Sequence, residues 1–86
     1  NSDARVIGNA VSAVNLEAPN SLPLSWANRD TGSSGMISTV SEQNKDGQVC
    51  RKFETSRESY EGVSLFSGQT CLGAGNQWFT QEFAAI

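Results

Sequence analysis

The sequence predicts an α+β domain in which an N-terminal helix packs on a five-stranded antiparallel β-meander closed by one disulfide. Three observations favour this fold. Apolar residues near the start recur at helical spacing, short apolar segments alternate with turn residues after Pro19, and two cysteines lie symmetrically about a turn. With 86 residues the chain has the size of one domain, and we assign residues 1–86 to it.

The helix is predicted at about residues 3–17. Apolar residues recur here at intervals of three and four, which places their side chains on one face of a helix. They are Val6, Ile7, Ala10, Val11 and Val14. Ser2 or Asp3 can cap the start of this helix. Because the residue before a proline is disfavoured in helical backbone, Pro19 is expected to end the helix near Glu17.

After Pro19 the chain reads as strands joined by turns. Five strands are predicted, at about residues 22–28, 36–42, 48–57, 62–72 and 78–83. The first turn is expected over residues 29–35. The second is signalled by Asp46-Gly47, because these two residues tolerate positive φ. Strands that follow one another through short turns predict an antiparallel meander.

The two cysteines fit a symmetric hairpin between the third and fourth strands. Directly opposed residues in such a hairpin have position numbers with a constant sum, and Cys50 and Cys71 sum to 121. The centre then falls between Tyr60 and Glu61, inside the polar, turn-like stretch between the two strands. Two reduced thiols in a cytosolic protein are the alternative interpretation. The register favours a disulfide, and a disulfide indicates an oxidising compartment.

Composition excludes several function classes. The sequence contains no histidine, so catalytic Ser-His or Cys-His pairs and imidazole metal sites are absent. Six scattered basic residues against nine acidic ones argue against nucleic acid as a partner. Glu54, Glu58 and Glu61 crowd one hairpin, but we interpret them as solvated charges rather than as a glycosidase pair. We therefore expect no catalytic residues, no metal site, no cofactor and no enzymatic activity.

A binding surface is a hypothesis that rests on strands with two apolar faces. Trp78 and Phe79 must point to opposite faces of the sheet, as must Leu65 and Phe66, and one helix covers only one face. The residues proposed for the exposed surface are Arg51, Phe53, Tyr60, Phe66 and Phe79. This surface would contact a partner protein, a second copy of the chain or a segment that precedes it.

Three segments resemble a known family. They are Pro23 to Gly35 (Pro-Leu-Ser-Trp-Ala-Asn-Arg-Asp-Thr-Gly-Ser-Ser-Gly), Asp46 to Phe53 (Asp-Gly-Gln-Val-Cys-Arg-Lys-Phe), and Gly68 to Cys71 (Gly-Gln-Thr-Cys) followed by Trp78. Together they are similar to the C-terminal domain of the bacterial surface antigen family, the seventeen-kilodalton outer-membrane lipoprotein antigens. The resemblance covers about residues 6–79. It implies the periplasm or outer membrane of a Gram-negative bacterium and supplies no catalytic residue.

The resemblance leaves two functions open. The first is a non-enzymatic structural or binding module of the cell envelope, whose partner would be another envelope protein or a second copy of the chain. The alternative is an envelope inhibitor of a lysozyme or protease, with the loops at residues 29–35 and 58–62 inserted into the active site of the enzyme. Family members often carry a lipidated cysteine and a glycine-zipper segment ahead of this domain. Because this sequence contains neither, we expect membrane attachment only through an anchor outside it.

Overall fold

A single antiparallel sheet carries the helix on one of its faces. The structure, a computed structural model, describes residues 2–86. Its elements in chain order are α1 (Ser2–Ala13), β1 (Leu24–Asn28), β2 (Ser33–Lys45), β3 (Gln48–Ser59), β4 (Gly62–Leu72) and β5 (Trp78–Ala85). The strands lie side by side in chain order, each antiparallel to the next. The predicted α+β meander is confirmed.

The core lies between α1 and the sheet. Ile7 and Val11 of α1 are fully buried, and α1 contacts all five strands. The buried side chains that form the core are Ile7, Val11, Trp26, Ile37 and Phe53. At Gly8 an added Cβ would lie 2.6 Å from Oγ1 of Thr80. A larger residue at this position would force the Thr80 side chain to shift, so glycine fits where α1 crosses β5 despite its cost of about 1 kcal/mol in a helix.

The β3–β4 hairpin has the register that the sequence predicts. Cys50 lies opposite Cys71, and the pairing continues without a shift to Ser59 opposite Gly62. The turn is formed by the two residues between them, Tyr60 and Glu61. The Sγ atoms of the two cysteines are bonded at 2.07 Å, so the predicted disulfide is confirmed.

The predicted strand bounds are correct for β4 and wrong by a few residues elsewhere. β2 begins at Ser33 rather than at residue 36, because the turn before it is shorter than expected. The amide of Gly32 donates to the carbonyl of Asn28 (2.9 Å), and Gly32 has φ 73°. The next turn needs only Asp46 and Gly47, both at positive φ, so β2 continues to Lys45.

The other strand ends shift by two residues each. β3 continues to Ser59 and β5 to Ala85, whereas the predictions ended at residues 57 and 83. β1 starts at Leu24 rather than at residue 22. Pro23 lies directly before it, and proline cannot donate a hydrogen bond to a ladder.

The helix ends at Ala13, four residues before the predicted end at residue 17. Nη1 of Arg51, on β3, donates to the carbonyls of Val11 (2.8 Å), Ser12 (3.3 Å) and Val14 (2.7 Å). Carbonyls at a helix C-terminus have no intrahelical partner, and a cation is favourable there. A tertiary contact from β3 therefore satisfies the last turn of α1.

At the other end of α1, the carboxylate of Asp3 is fully buried. Its Oδ1 accepts hydrogen bonds from Nδ2 of Asn28 (2.8 Å) and Oγ1 of Thr31 (2.6 Å), and its Oδ2 accepts one from Nε of Arg57 (2.7 Å). Burial alone raises the pKa of Asp3, but the bonds from Thr31, Arg57 and Asn28 outweigh it and lower the pKa to about 2. Asp3 thus joins α1 to the first hairpin and to β3.

We expect Asp3→Asn to lower the free energy of unfolding by about 3 kcal/mol at neutral pH, because it leaves the Arg57 guanidinium without its anionic partner. The pKa of Asp3 falls from 3.8 to about 2 on folding. Its stabilisation is therefore complete above pH 3.8 and is lost as pH falls through about 2. Urea unfolding of both proteins across this range should show the difference shrinking in acid.

The matched control for this prediction is Glu54→Gln, which neutralises an exposed carboxylate. Its effect should stay within about 0.5 kcal/mol. A difference between wild type and Asp3→Asn that is the same at neutral and at acid pH would contradict the role of the Asp3 charge.

Candidate functional site

The register assigns each strand residue to one of two faces, because directly opposed residues in an antiparallel ladder share a face. Phe53 and its opposite residue Gly68 face α1. Cys50, Cys71 and Leu65 therefore lie on the other side, which we call the outer face. No described helix or strand covers the outer face in residues 2–86.

One end of the outer face carries a row of exposed apolar side chains. Leu65 lies opposite Ser56, and the Oγ of Ser56 accepts a hydrogen bond from the amide of Met36 (3.0 Å). The carbonyl of Leu65 accepts a hydrogen bond from the amide of Ile86 (2.9 Å). Val63 lies two residues from Leu65 on the same face. We define the outer-face patch as Met36, Val63, Leu65 and Ile86, which are 42%, 65%, 58% and 71% exposed.

Tyr60 and acidic side chains border the outer-face patch. Tyr60, in the β3–β4 turn, is 94% exposed. Glu58 lies opposite Val63, Glu54 lies opposite Ser67, and Glu61 follows Tyr60 in the turn. This end of the sheet therefore combines an apolar surface with three exposed carboxylates.

Arg51 and Arg57 do not offset this charge, because both lie on the helix face of β3 and each is paired with a carboxylate. Nε of Arg51 lies 3.0 Å from Oε1 of Glu42, and Nε of Arg57 lies 2.7 Å from Oδ2 of Asp3. Neither arginine presents a free charge beside the outer-face patch.

The turns of the first and third hairpins lie next to each other at this end. A shallow groove of about 260 Å³ separates them and is lined by Gly32, Ser34, Glu58, Ser59, Gly62 and Val63. The two loops proposed for an inhibitor, residues 29–35 and 58–62, thus meet here. Residues 33–35 belong to β2, however, so the first of these loops is shorter than expected.

Three of the residues proposed for a binding surface have side chains reachable from solvent, but they do not form one surface. Tyr60 is at the tip of the β3–β4 hairpin. Phe79 is 52% exposed on the outer face, opposite Cys71 at the far end of the sheet, and its ring covers Gly73. Phe66 is half-buried on the helix side, stacked on Phe83 with ring centroids 4.8 Å apart.

The structure corrects the proposed exposure of Phe53 and Arg51. Phe53 is 2% exposed and lies in the core. The side chain of Arg51 is 12% exposed because its guanidinium caps α1 and lies 5.6 Å from the ring centre of Trp78. Both residues share the helix face of β3, so the prediction of exposed-face roles was wrong for them.

All four residues of the outer-face patch were missed from the sequence, although a signal existed for two of them. The predicted register places Val63 and Leu65 on the face of Cys71, opposite to that of Phe53. Had Phe53 been assigned to the core, both residues would have been expected on the exposed face. Met36 and Ile86 offered no such signal, because a bulge at Ser38 and the unknown end of β5 set their positions.

The described residues present apolar side chains and carboxylates to solvent on the outer face. Across residues 2–86, no group of three or more potential metal ligands lies together, and no helix is long and apolar enough to cross a membrane. The buried carboxylate of Asp3 is held by an arginine rather than aimed at a cavity. Exposed apolar side chains beside carboxylates can contact another protein.

We expect Phe53→Ala to lower the free energy of unfolding by about 4 kcal/mol, because it empties a core site beside Ile37 and Phe83. Tyr60→Ala is the matched aromatic truncation at an exposed position and should change stability by less than about 0.5 kcal/mol. Urea denaturation measures both. If Phe53→Ala lowered the free energy of unfolding no more than Tyr60→Ala does, the side chain of Phe53 would have to be exposed.

Arg51→Met keeps the length of the side chain and removes its donors, so three carbonyls at the end of α1 lose a partner. We expect a loss of about 2 kcal/mol, with faster amide hydrogen exchange in the last turn of α1. Lys52→Met, at the next and exposed position, is the control and should be nearly neutral. Equal effects of the two substitutions would show that Arg51 does not cap the helix.

Comparison with known families agrees with the resemblance noted in the sequence. Residues 13–79, most of the chain, match the family model of the 17 kDa outer membrane surface antigen. No curated protein and no solved structure gives a significant match. The matched segment contains β1 to β4 and the disulfide, and the family description is consistent with a module of the cell envelope. The chain belongs to the 17 kDa outer membrane surface antigen family.

Proposed function

We propose that this domain is a non-enzymatic protein-binding module of the cell envelope, and that a basic protein docks on the outer-face patch and Tyr60. The observation that carries the proposal is the row of exposed apolar side chains on a sheet face that no described element covers. Contiguous apolar surface with a polar border is typical of protein-binding sites.

The composition of this surface supports a protein partner. Tyrosine contributes a large apolar ring with a hydrogen-bonding hydroxyl and is enriched among residues that dominate binding energy. Met36 adds an unbranched side chain that adapts to varied partners. The carboxylates of Glu54, Glu58 and Glu61 border these side chains, so a basic surface would be complementary and would associate faster at low salt.

The proposed location is the periplasm or outer membrane of a Gram-negative bacterium. The family description supports the envelope, and the Cys50–Cys71 disulfide supports an oxidising compartment. The absence of histidine and the ion pairing of Asp3 support a role other than catalysis.

The test begins with affinity capture from a Gram-negative envelope extract, followed by titration of each captured protein against two variants. Leu65→Lys places a charge inside the outer-face patch, whereas Gln43→Lys places the same charge on an exposed position opposite Cys50, at the other end of the outer face. We expect Leu65→Lys to weaken binding at least about tenfold and Gln43→Lys to leave it unchanged.

Salt provides a second measurement on the same complex. Raising the ionic strength from about 0.05 to about 0.5 M should weaken the binding of a basic partner. The proposal fails if the wild-type domain captures no protein, or if every captured protein binds Leu65→Lys as tightly as wild type.

A second candidate function is inhibition of a lysozyme or protease. The observation that favours it is the meeting of the first and third hairpin turns around one groove with Glu58 in its lining. Rates of peptidoglycan hydrolysis by a basic lysozyme and of peptide cleavage by a panel of proteases should fall on adding the domain. Tyr60→Ala should relieve the inhibition. Unchanged rates at about 100 μM domain would exclude tight inhibition of the enzymes tested.

A further inference from the structure

The sheet has two edges, and β5 is the less protected of them. β1 has five residues and follows Pro23, whereas β5 has eight residues and contains no proline, lysine or arginine. Short strands, proline, charged side chains and bulges are common devices that prevent an edge from pairing with another chain, and of these β5 has Glu82 and one bulge. The irregularity in β5 is a bulge at Gln81, where Gln69 pairs with Glu82 but Thr70 pairs with Thr80.

Two hydrogen bonds fix the direction of the backbone groups at both ends of β5. The amide of Ile86 donates to the carbonyl of Leu65 (2.9 Å), and the amide of Gly73 donates to the carbonyl of Gln77 (2.7 Å). Residues of an antiparallel strand alternate between bonding the neighbouring strand and pointing away from it. By this alternation, the residues that direct N–H and C=O groups away from β4 are Trp78, Thr80, Phe83 and Ala85.

The bulge gives these outward groups unequal intervals of two, three and two residues. A regular strand presents outward groups at every second residue, so its N–H and C=O groups can bond those of β5 on only one side of the bulge. A second copy of β5 has the same intervals. When two copies run antiparallel with position numbers summing to 163, Trp78 opposes Ala85 and Thr80 opposes Phe83, and all outward groups are matched.

We infer that two copies of this domain pair edge to edge through β5 about a two-fold axis, joining their sheets into one. The axis passes between Gln81 and Glu82, so each glutamate opposes a glutamine of the second copy rather than a like charge. Such an interface is isologous, because the same strand serves both copies. It uses the sheet edge and leaves the outer-face patch free.

The space beside β5 on the helix side suits this pairing. A groove of about 830 Å³ lies between α1 and β5. The α1 residues that line it are small or polar: Ala4, Arg5, Gly8, Asn9 and Ser12. In the pair, the helix-side side chains of the incoming strand enter this groove, while its backbone bonds β5.

The first test is sedimentation velocity of the wild-type domain from about 10 μM to about 1 mM at about 0.15 M salt. We expect a monomer–dimer equilibrium. Ala85→Pro removes an outward amide without removing a β4–β5 bond, and should weaken the dimer at least about tenfold. Ala85→Ser keeps the amide and should dimerise like wild type. Leu65→Lys should also dimerise normally, which separates this inference from the proposed function.

Amide hydrogen exchange of the wild-type protein gives a test that needs no variant. The amides of Trp78, Thr80, Phe83 and Ala85 should exchange quickly in dilute solution and become protected at high concentration. Three results would overturn the inference: a monomer throughout the concentration range, a dimer in which these amides stay unprotected, or equal dimerisation by Ala85→Pro.

Discussion

The buried carboxylate of Asp3 is the interaction on which the rest of the structure depends. A charge in the core is expensive unless it is paired and hydrogen-bonded, and the donors that pair it come from the first hairpin and from β3. Few arrangements of α1 can supply all of these bonds. Asp3 therefore fixes the position of the first turn of α1 on the sheet, and Arg51 fixes the position of its last turn. With both ends fixed, Ile7 and Val11 are directed onto Phe53.

The position of α1 decides which sheet face meets solvent. A single helix covers the aromatic side chains on one face, and Gly8 lets it approach β5 closely. The other face must then carry its apolar residues exposed, because the strands alternate regardless of what covers them. Leu65 and Phe66 illustrate this division, since Leu65 is exposed and Phe66 is stacked on Phe83. The outer-face patch is thus a by-product of one-sided packing that a partner can use.

Local patterns in the sequence predicted most of the fold. The constant sum of Cys50 and Cys71 predicted the register of β3 and β4 to the residue, because a symmetric hairpin leaves little freedom. Asp46-Gly47 predicted the position of the second hairpin turn, because both residues tolerate positive φ. The end of α1 could not be predicted, because the guanidinium of Arg51 that satisfies its carbonyls lies on a strand distant in sequence. Tertiary contacts override local propensity in such cases.

Much less of the candidate site could be predicted, and the reason is again long-range. Exposure of Phe53 or Phe79 depends on which face α1 covers, and that choice is made by hydrogen bonds between Asp3 and residues about 25 or more positions away. The bulges at Ser38 and Gln81 each insert one extra residue, which changes the face to which the residues beyond them point. Neither bulge has an evident local signal in the sequence. Strand alternation therefore predicted two faces but could not decide which of them meets solvent, and Phe53 was wrongly assigned to the exposed one.

The disulfide lies on the outer face, where both cysteines are buried, and its position bears on the identity of the two faces. Sliding β4 by one residue along β3 would exchange its faces, turning Leu65 toward α1 and Phe66 toward solvent. The two-residue turn and the burial of Phe53 on the helix face already oppose such a slip. A covalent bond between Cys50 and Cys71 permits a single alignment. Oxidation thus makes covalent the assignment of surface and interior that burial of the helix face already favours.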